Sequence, residues 1–313
     1  MHAARAERIY RDVAERQPDA YRAGWARSIG RVSNCLGQLG RYNEALAKAE
    51  QAESSCRELA ERQPDPYRFD WASALRTLAI RLGELGRYEE ALTKDEQAEA
   101  ICRDLVELQP DSYRDEWVAS LGNLAVSLSN LGRYEEALPK AEQVEAIRRE
   151  LAERQPDAYR ADWGSAFTNL ANMLRDLGRY EEALAKAEQA EAIQRDLAER
   201  QPEAYRRHWA LSLGNLAEIA IRGCLPDYAL PAAERGVEVL EALAVYPNVD
   251  RDHLGFCLRV LAEALLKPAM HIVHSSRPEG ARRFGKRSLR SGRHMHASSM
   301  ARLCPCSRVP GWP

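Results

Sequence analysis

Residues 155–200 read QPDAYRADWGSAFTNLANMLRDLG and then RYEEALAKAEQAEAIQRDLAER. In the first half, Tyr159, Trp163, Ala166, Phe167, Leu170, Ala171, Leu174 and Leu177 recur at steps of three and four. That spacing places them on one face of an α-helix of about 20 residues, about 30 Å long. The second half repeats the device with Tyr180, Ala183, Leu184, Ala187, Ala190, Ile193 and Leu197. Between the two stands Gly178, free to take the left-handed conformation that ends a helix and turns the chain. Glu181 and Glu182 follow in the first turn of the second helix, where carboxylates complement the dipole. Period-two alternation is absent, so an all-α chain is expected.

The same text recurs along the chain. Trp25, Trp71, Trp117, Trp163 and Trp209 are 46 residues apart, and Pro18, Pro64, Pro110, Pro156 and Pro202 keep the same step. Gly-Arg-Tyr stands at 40–42, 86–88, 132–134 and 178–180. Glu44–Lys48, Glu90–Lys94, Glu136–Lys140 and Glu182–Lys186 are expected to pair at i,i+4. Asp19, Asp65, Asp111 and Asp157 are placed to cap the first helices. A lone two-helix hairpin buries too little apolar surface to stand, so each copy must cover the next, giving an elongated α-solenoid.

The expected organisation is a remnant second helix at 1–16, then a repeat array at 17–266. Its units are 17–62, 63–108, 109–154, 155–200 and 201–246, with a partial copy at 247–266. A basic tail, 267–313, is expected to be disordered. The tail carries ten Lys/Arg against one acid, Glu279, a balance of +9, whereas 1–266 hold 35 basic and 46 acidic residues. Composition is that of a soluble chain, with 29% charged residues and a mean hydropathy of -0.52. No apolar run reaches membrane-spanning length, and the N-terminus lacks the apolar core of a signal peptide. Seven cysteines out of step with the repeat argue against a disulfide framework, so a reduced, cytoplasmic protein is expected.

The string Asn-Leu-Ala…Leu-Gly-Arg-Tyr-Glu-Glu-Ala-Leu…Ala resembles the tetratricopeptide repeat, in the long-helix variant of kinesin light chains and bacterial signalling proteins. In the fourth copy the matching residues are Phe167, Leu170, Ala171, Leu174, Gly178, Tyr180, Ala183 and Ala190. The departure is length, 46 residues per unit instead of the family's usual 34. The resemblance implies a right-handed superhelix of antiparallel helix pairs that binds protein or peptide along a groove lined by the first helices.

Carried over position by position, the groove residues of the first copy are Arg27, Gly30, Asn34 and Gln38. The second gives Ser73, Arg76, Ile80 and Glu84, and the third Ala119, Gly122, Val126 and Asn130. The fourth gives Ser165, Thr168, Asn172 and Asp176, and the fifth Leu211, Gly214, Glu218 and Arg222. Asn123, Asn169 and Asn215, with Asn34 and Asn172, are suited to hydrogen-bond an extended peptide backbone. These positions vary between copies while packing positions do not, as either ligand selection or plain solvation would produce. The column where some members carry a carboxylate-gripping Lys reads Gly30, Arg76, Gly122, Thr168 and Gly214, so the full set is missing.

No phosphate loop, nucleophile elbow or paired-Cys motif occurs, and neither catalysis nor a cofactor is expected. His271, His274, His294, His296, Cys304 and Cys306 lack the spacing of a known zinc finger, so no metal is expected. The tail could also serve as an arm for an acidic partner, but nucleic acid is not an expected partner. The reading is a non-catalytic scaffold for a protein or peptide, off the membrane, with self-association through the end copies left open. Its alternative is a sensor or oligomerisation fragment of a larger signalling ATPase of the STAND type.

Overall fold

The computed structural model describes residues 2–241, 258–261, 263 and 264. Apart from short turns the described residues are helical, and none of them forms a strand. In order come α1 (His2–Arg16), α2 (Pro18–Gln38), α3 (Tyr42–Arg62), α4 (Pro64–Glu84), α5 (Tyr88–Leu108) and α6 (Pro110–Asn130). They are followed by α7 (Tyr134–Arg154), α8 (Pro156–Asp176), α9 (Tyr180–Arg200), α10 (Pro202–Arg222) and α11 (Pro226–Glu241). The chain divides into two compact units, Met1–Met173 and Leu174–Pro313.

Two kinds of connection alternate. Each first helix ends at a glycine with positive φ: Gly40 at 72°, Gly86 at 75°, Gly132 at 74° and Gly178 at 76°. The following amide folds back on the helix, as Arg41 N donates to Leu36 O at 3.0 Å and Arg179 N to Leu174 O at 2.9 Å. A β-carbon is disfavoured at such a residue. The fifth copy makes the same turn with cysteine at the left-handed position, directly after Gly223. There Cys224 adopts φ 59°, and Leu225 N donates to Ala220 O at 2.8 Å. Cys224 is disulfide-bonded, which corrects the expectation that every thiol is reduced; Cys35, Cys56 and Cys102 are free.

The second connection is a single residue, Gln63, Gln109 or Gln201, followed by proline at the first helical position. Proline suits that place, since its missing N–H has no helical partner and its fixed φ is already helical. The glutamines therefore hold the cap position, without a side-chain cap bond. Asp65, Asp111 and Asp157 lie inside the first turn, where they favour the dipole without capping. The glutamates have a further partner besides the expected lysines. Glu44, Glu90, Glu136 and Glu182 are each gripped by two hydrogen bonds from the arginine three residues earlier, Arg41, Arg87, Arg133 and Arg179, at 2.6–2.8 Å. Lys94 and Lys140, two of the expected partners, add a favourable field at Glu90 and Glu136. These hydrogen bonds hold the four carboxyls below the usual range.

Packing is close because the seams are lined with alanine. In the first unit Ala45, Ala49, Ala72, Ala98 and Ala137 are wholly buried, as are Ala210, Ala217 and Ala220 in the second. One apolar cluster joins Ala72 and Leu75 of α4 to Ala98, Ile101, Cys102 and Leu105 of α5, with Tyr113 and Trp117 of α6 against it. The third copy thus covers the second, and the core crosses the boundary between copies. This is the all-α solenoid packing of consecutive antiparallel helices.

The recurring tryptophans fix that crossing. Trp71 Nε1 donates to Glu53 Oε1 at 3.0 Å, Trp117 to Glu99 at 3.0 Å, Trp163 to Glu145 at 3.0 Å and Trp209 to Glu191 at 2.7 Å. Each bond runs from a first helix back to the preceding second helix, 18 residues earlier. Glu53, Glu99 and Glu145 are buried, and Arg57 and Arg103 sit beside the first two at 3.5 and 3.4 Å. A buried carboxylate needs such partners.

One buried acid stands outside this order. Asp95 on α5 occupies the column of Ala49 and Ala141 and is 2% exposed. Ser127 donates to its Oδ2 at 2.6 Å, while Oδ1 has no partner. Burial pushes its carboxyl up to about 6, against the opposing field of Arg76.

Replacing Glu99 with Ala strands the Trp117 N–H and is expected to cost about 1–3 kcal/mol in urea unfolding, with Glu99→Gln costing less. Because Asp95 holds its proton more tightly folded than unfolded, stability should fall as pH rises from 3.8 through about 6. The loss is on the order of 3 kcal/mol, and Asp95→Asn should remove that slope.

Candidate functional site

On α2, Arg27, Gly30 and Asn34 follow one another at steps of three and four and so share a face of the helix. α4 packs directly against α2 in the first unit. Between them, floored by α3, lies a pocket of about 220 Å³. Its walls include Arg27, Gly30, Arg31 and Asn34 from α2 and Phe69, Asp70, Ser73 and Thr77 from α4. Of the positions expected in the groove, the structure brings Arg27, Gly30, Asn34 and Ser73 together here. Gly30 leaves the space open, since a β-carbon there would meet nothing within 4 Å.

Asp70 is the charged wall of this pocket. It is 8% exposed, and Arg27 donates from Nη1 to both its oxygens, at 3.4 and 3.2 Å. Burial raises its carboxyl above the usual range, and the field and hydrogen bond of Arg27 oppose that shift. Arg27 itself remains open, its side chain 59% exposed. Cys56 on α3 also lines the pocket, but burial pushes its thiol up to about 12. It stays protonated near neutrality and is a poor nucleophile. The pocket carries no activated thiol.

The remaining expected groove residues are distributed along the first helices. Gln38 is exposed on α2, and Arg76 is half-buried on α4. Glu84 is drawn to Arg81 at 3.0 Å, whose guanidinium lies across Gly37 of α2. On α6, Asn123 is half-buried and Asn130 exposed, and on α8 Asn169 is exposed and Asn172 half-buried. Ile80 and Val126, one copy apart in the same column, are exposed apolar residues.

In the second unit Asn215 is half-buried, and three expected residues gather around Arg175. Its guanidinium bonds Asp176 at 2.8 and 3.2 Å and lies 3.8 Å from Glu218, which also pairs with Arg222 at 2.9 Å. These groove charges partner one another. Sequence reasoning missed Asp70, Arg31 and Arg175. The signal for Asp70 was an acid directly before the marker tryptophan, repeated at Glu116 and Asp162. Among the described residues no helix is long and apolar enough to cross a membrane. The tail histidines and cysteines considered for metal lie outside the described residues.

The tetratricopeptide repeat family model matches residues 71–112, 117–157 and 163–200, each match opening on a marker tryptophan. Comparison with curated proteins gives no match. Among solved structures, BtubC (BKLC) from P. vanneervenii is similar over 79% of this chain and 92% of its own, at 19% identity and a TM-score of 0.61. A putative kinesin light chain of nearly identical TPR-like repeats from Podosopora anserina covers 72% and 98%, at 21% identity and 0.54. The Rap conjugation gene regulator of plasmid pLS20, solved in complex with the Phr* peptide, covers 80% and 65%, at 16% and 0.51. At these identities the likeness is one of fold. Between Trp71 and Arg200 the chain carries three tetratricopeptide repeats, and the helix pairs are packed as described.

Proposed function

We propose that the chain binds a peptide or an extended protein segment along the groove lined by α2, α4, α6 and α8, and performs no chemistry on it. The observation that carries this reading is the pocket between α2 and α4. It is open to solvent through exposed Arg27 and Asn34, its walls mix polar groups with apolar Phe69 and Ala74, and it leaves room at Gly30. Ligand sites are concave, with a few polar groups fixing orientation. Asn34, Asn123, Asn169 and Asn172 add amides that can donate to carbonyls and accept from N–H groups, which an extended backbone presents in alternation. Exposed Ile80 and Val126 offer apolar contact between those amides. A fold relative solved in complex with a peptide is in keeping with a peptide-binding role.

A phage-displayed random heptapeptide library panned on the full chain tests the reading. Wild-type protein should enrich a defined set of peptides. The triple variant Asn34→Ala, Asn123→Ala, Asn172→Ala should bind the synthesised winners at least about tenfold more weakly, as expected for a few lost hydrogen bonds. Equal affinity, with circular dichroism unchanged, would remove the groove from the account.

A further inference from the structure

We propose that the chain binds a second copy of itself head to tail, the helical segment around Leu258 of one molecule seating on α1 of the next. A seam within the chain shows the fit. In the second copy, Leu75 of α4 packs with Ile101, Cys102 and Leu105 of α5, and none of the four is more than 8% exposed. A first helix is thereby closed by the second helix that follows it.

α1 carries one half of such a seam. Ile9, Tyr10 and Val13 stand in the columns of Ile101, Cys102 and Leu105, two copies earlier. Ile9 is 53% and Tyr10 41% exposed, where Ile101 and Cys102 are buried. A helix facing outward at the end of a stack is ordinarily polar on that side, and this one presents isoleucine and tyrosine. Tyr10 is also held in position. Its ring lies on Gly24 of α2, where a β-carbon would come 2.9 Å from Cε1. Asp70, Glu116 and Asp162 fill that column in later copies, so Gly24 gives the first copy the room its ring needs.

Leu258 carries the other half. His253, Leu258 and Leu261-Ala262-Glu263 repeat His208, Leu213 and Leu216-Ala217-Glu218, which puts Leu258 in the column of Leu213 and Leu75. Those two leucines are buried, but Leu258 is 45% exposed. Residues 258–261 are helical, and Val260 and Ala264, which point away from Leu258 at helical spacing, are buried. The segment is therefore seated by one face and bare on the other. Neither Gly-Arg-Tyr nor Glu-Glu-Ala-Leu recurs after Leu266, so the sequence there offers no repeat-like second helix to cover it. Leu258 and Ile9 are thus the two sides of the Leu75–Ile101 contact, set at separate places on one molecule. Two different patches make a heterologous contact, in which each bound copy leaves one patch free for the next.

Sedimentation of the full chain over a dilution series tests the contact. Wild type should exceed monomer mass increasingly as concentration rises, whether copies add in an open series or close a ring. Ile9→Glu and Leu258→Glu should each sediment as a monomer, with circular dichroism unchanged because both side chains are exposed. The milder Ile9→Ala should weaken association about tenfold or more. Mixed in equal amounts, the two glutamate variants should form a heterodimer and nothing larger, since each supplies the patch the other has lost. Monomeric wild type at every concentration would overturn the proposal. So would a mixture that stays monomeric, or association that survives Ile9→Glu. A dimer that survives Leu258→Glu and is lost in Ile9→Glu would replace it with a symmetric contact through α1 alone.

Discussion

Everything in this molecule depends on one helix pair hiding the apolar face of another. A two-helix hairpin has an inner seam but also a second oily side, and water penalises that side until a neighbour covers it. Alanine sets how close the cover can come, since its short side chain lets backbones approach where leucine would hold them apart. The tryptophan–glutamate bond adds direction to that cover. Apolar contact alone tolerates sliding, whereas an indole N–H buried against a carboxylate has one place to be. The bond repeats at four crossings, while the Nε1 of Trp25 is buried without a partner among the described residues.

Features that reside within one helix or one turn were legible in the sequence. The helix faces, the left-handed glycines and the seam alanines follow from spacing and from the properties of single residue types. Features that need two elements brought together were not. Glu99 and Trp117 are 18 residues apart and meet only once a proline has reversed the chain between them. Arg27 and Asp70 are 43 residues apart, and the acid looks like any solvated aspartate until α4 is seen to bury it. The capping role assigned to Asp65 failed for a local reason. Proline at the first helical position moves the cap one residue earlier than the aspartate's neighbours suggest. Cys224 shows the reverse case, a turn kept in shape with cysteine at the left-handed position.

The groove was legible as a set of columns and illegible as a site. Periodicity names the residues that share a face, but not which of them are used up by neighbours. Asp176, Glu218 and Arg222 are engaged with one another or with Arg175, and Glu84 with Arg81. Arg31, which no column singled out, is left with its charge unmatched among the described residues.

The single-residue links between copies also constrain how such a chain can change. A one-residue insertion inside a helix turns everything beyond it by about 100°, and a link of one glutamine has no slack to absorb the twist. Loss or gain of a whole 46-residue block leaves every remaining junction with the partner it expects. Heritable variation in length is thereby channelled into duplication and deletion of complete copies. A new specificity then arises by altering residues within an inherited copy and not by growing loops.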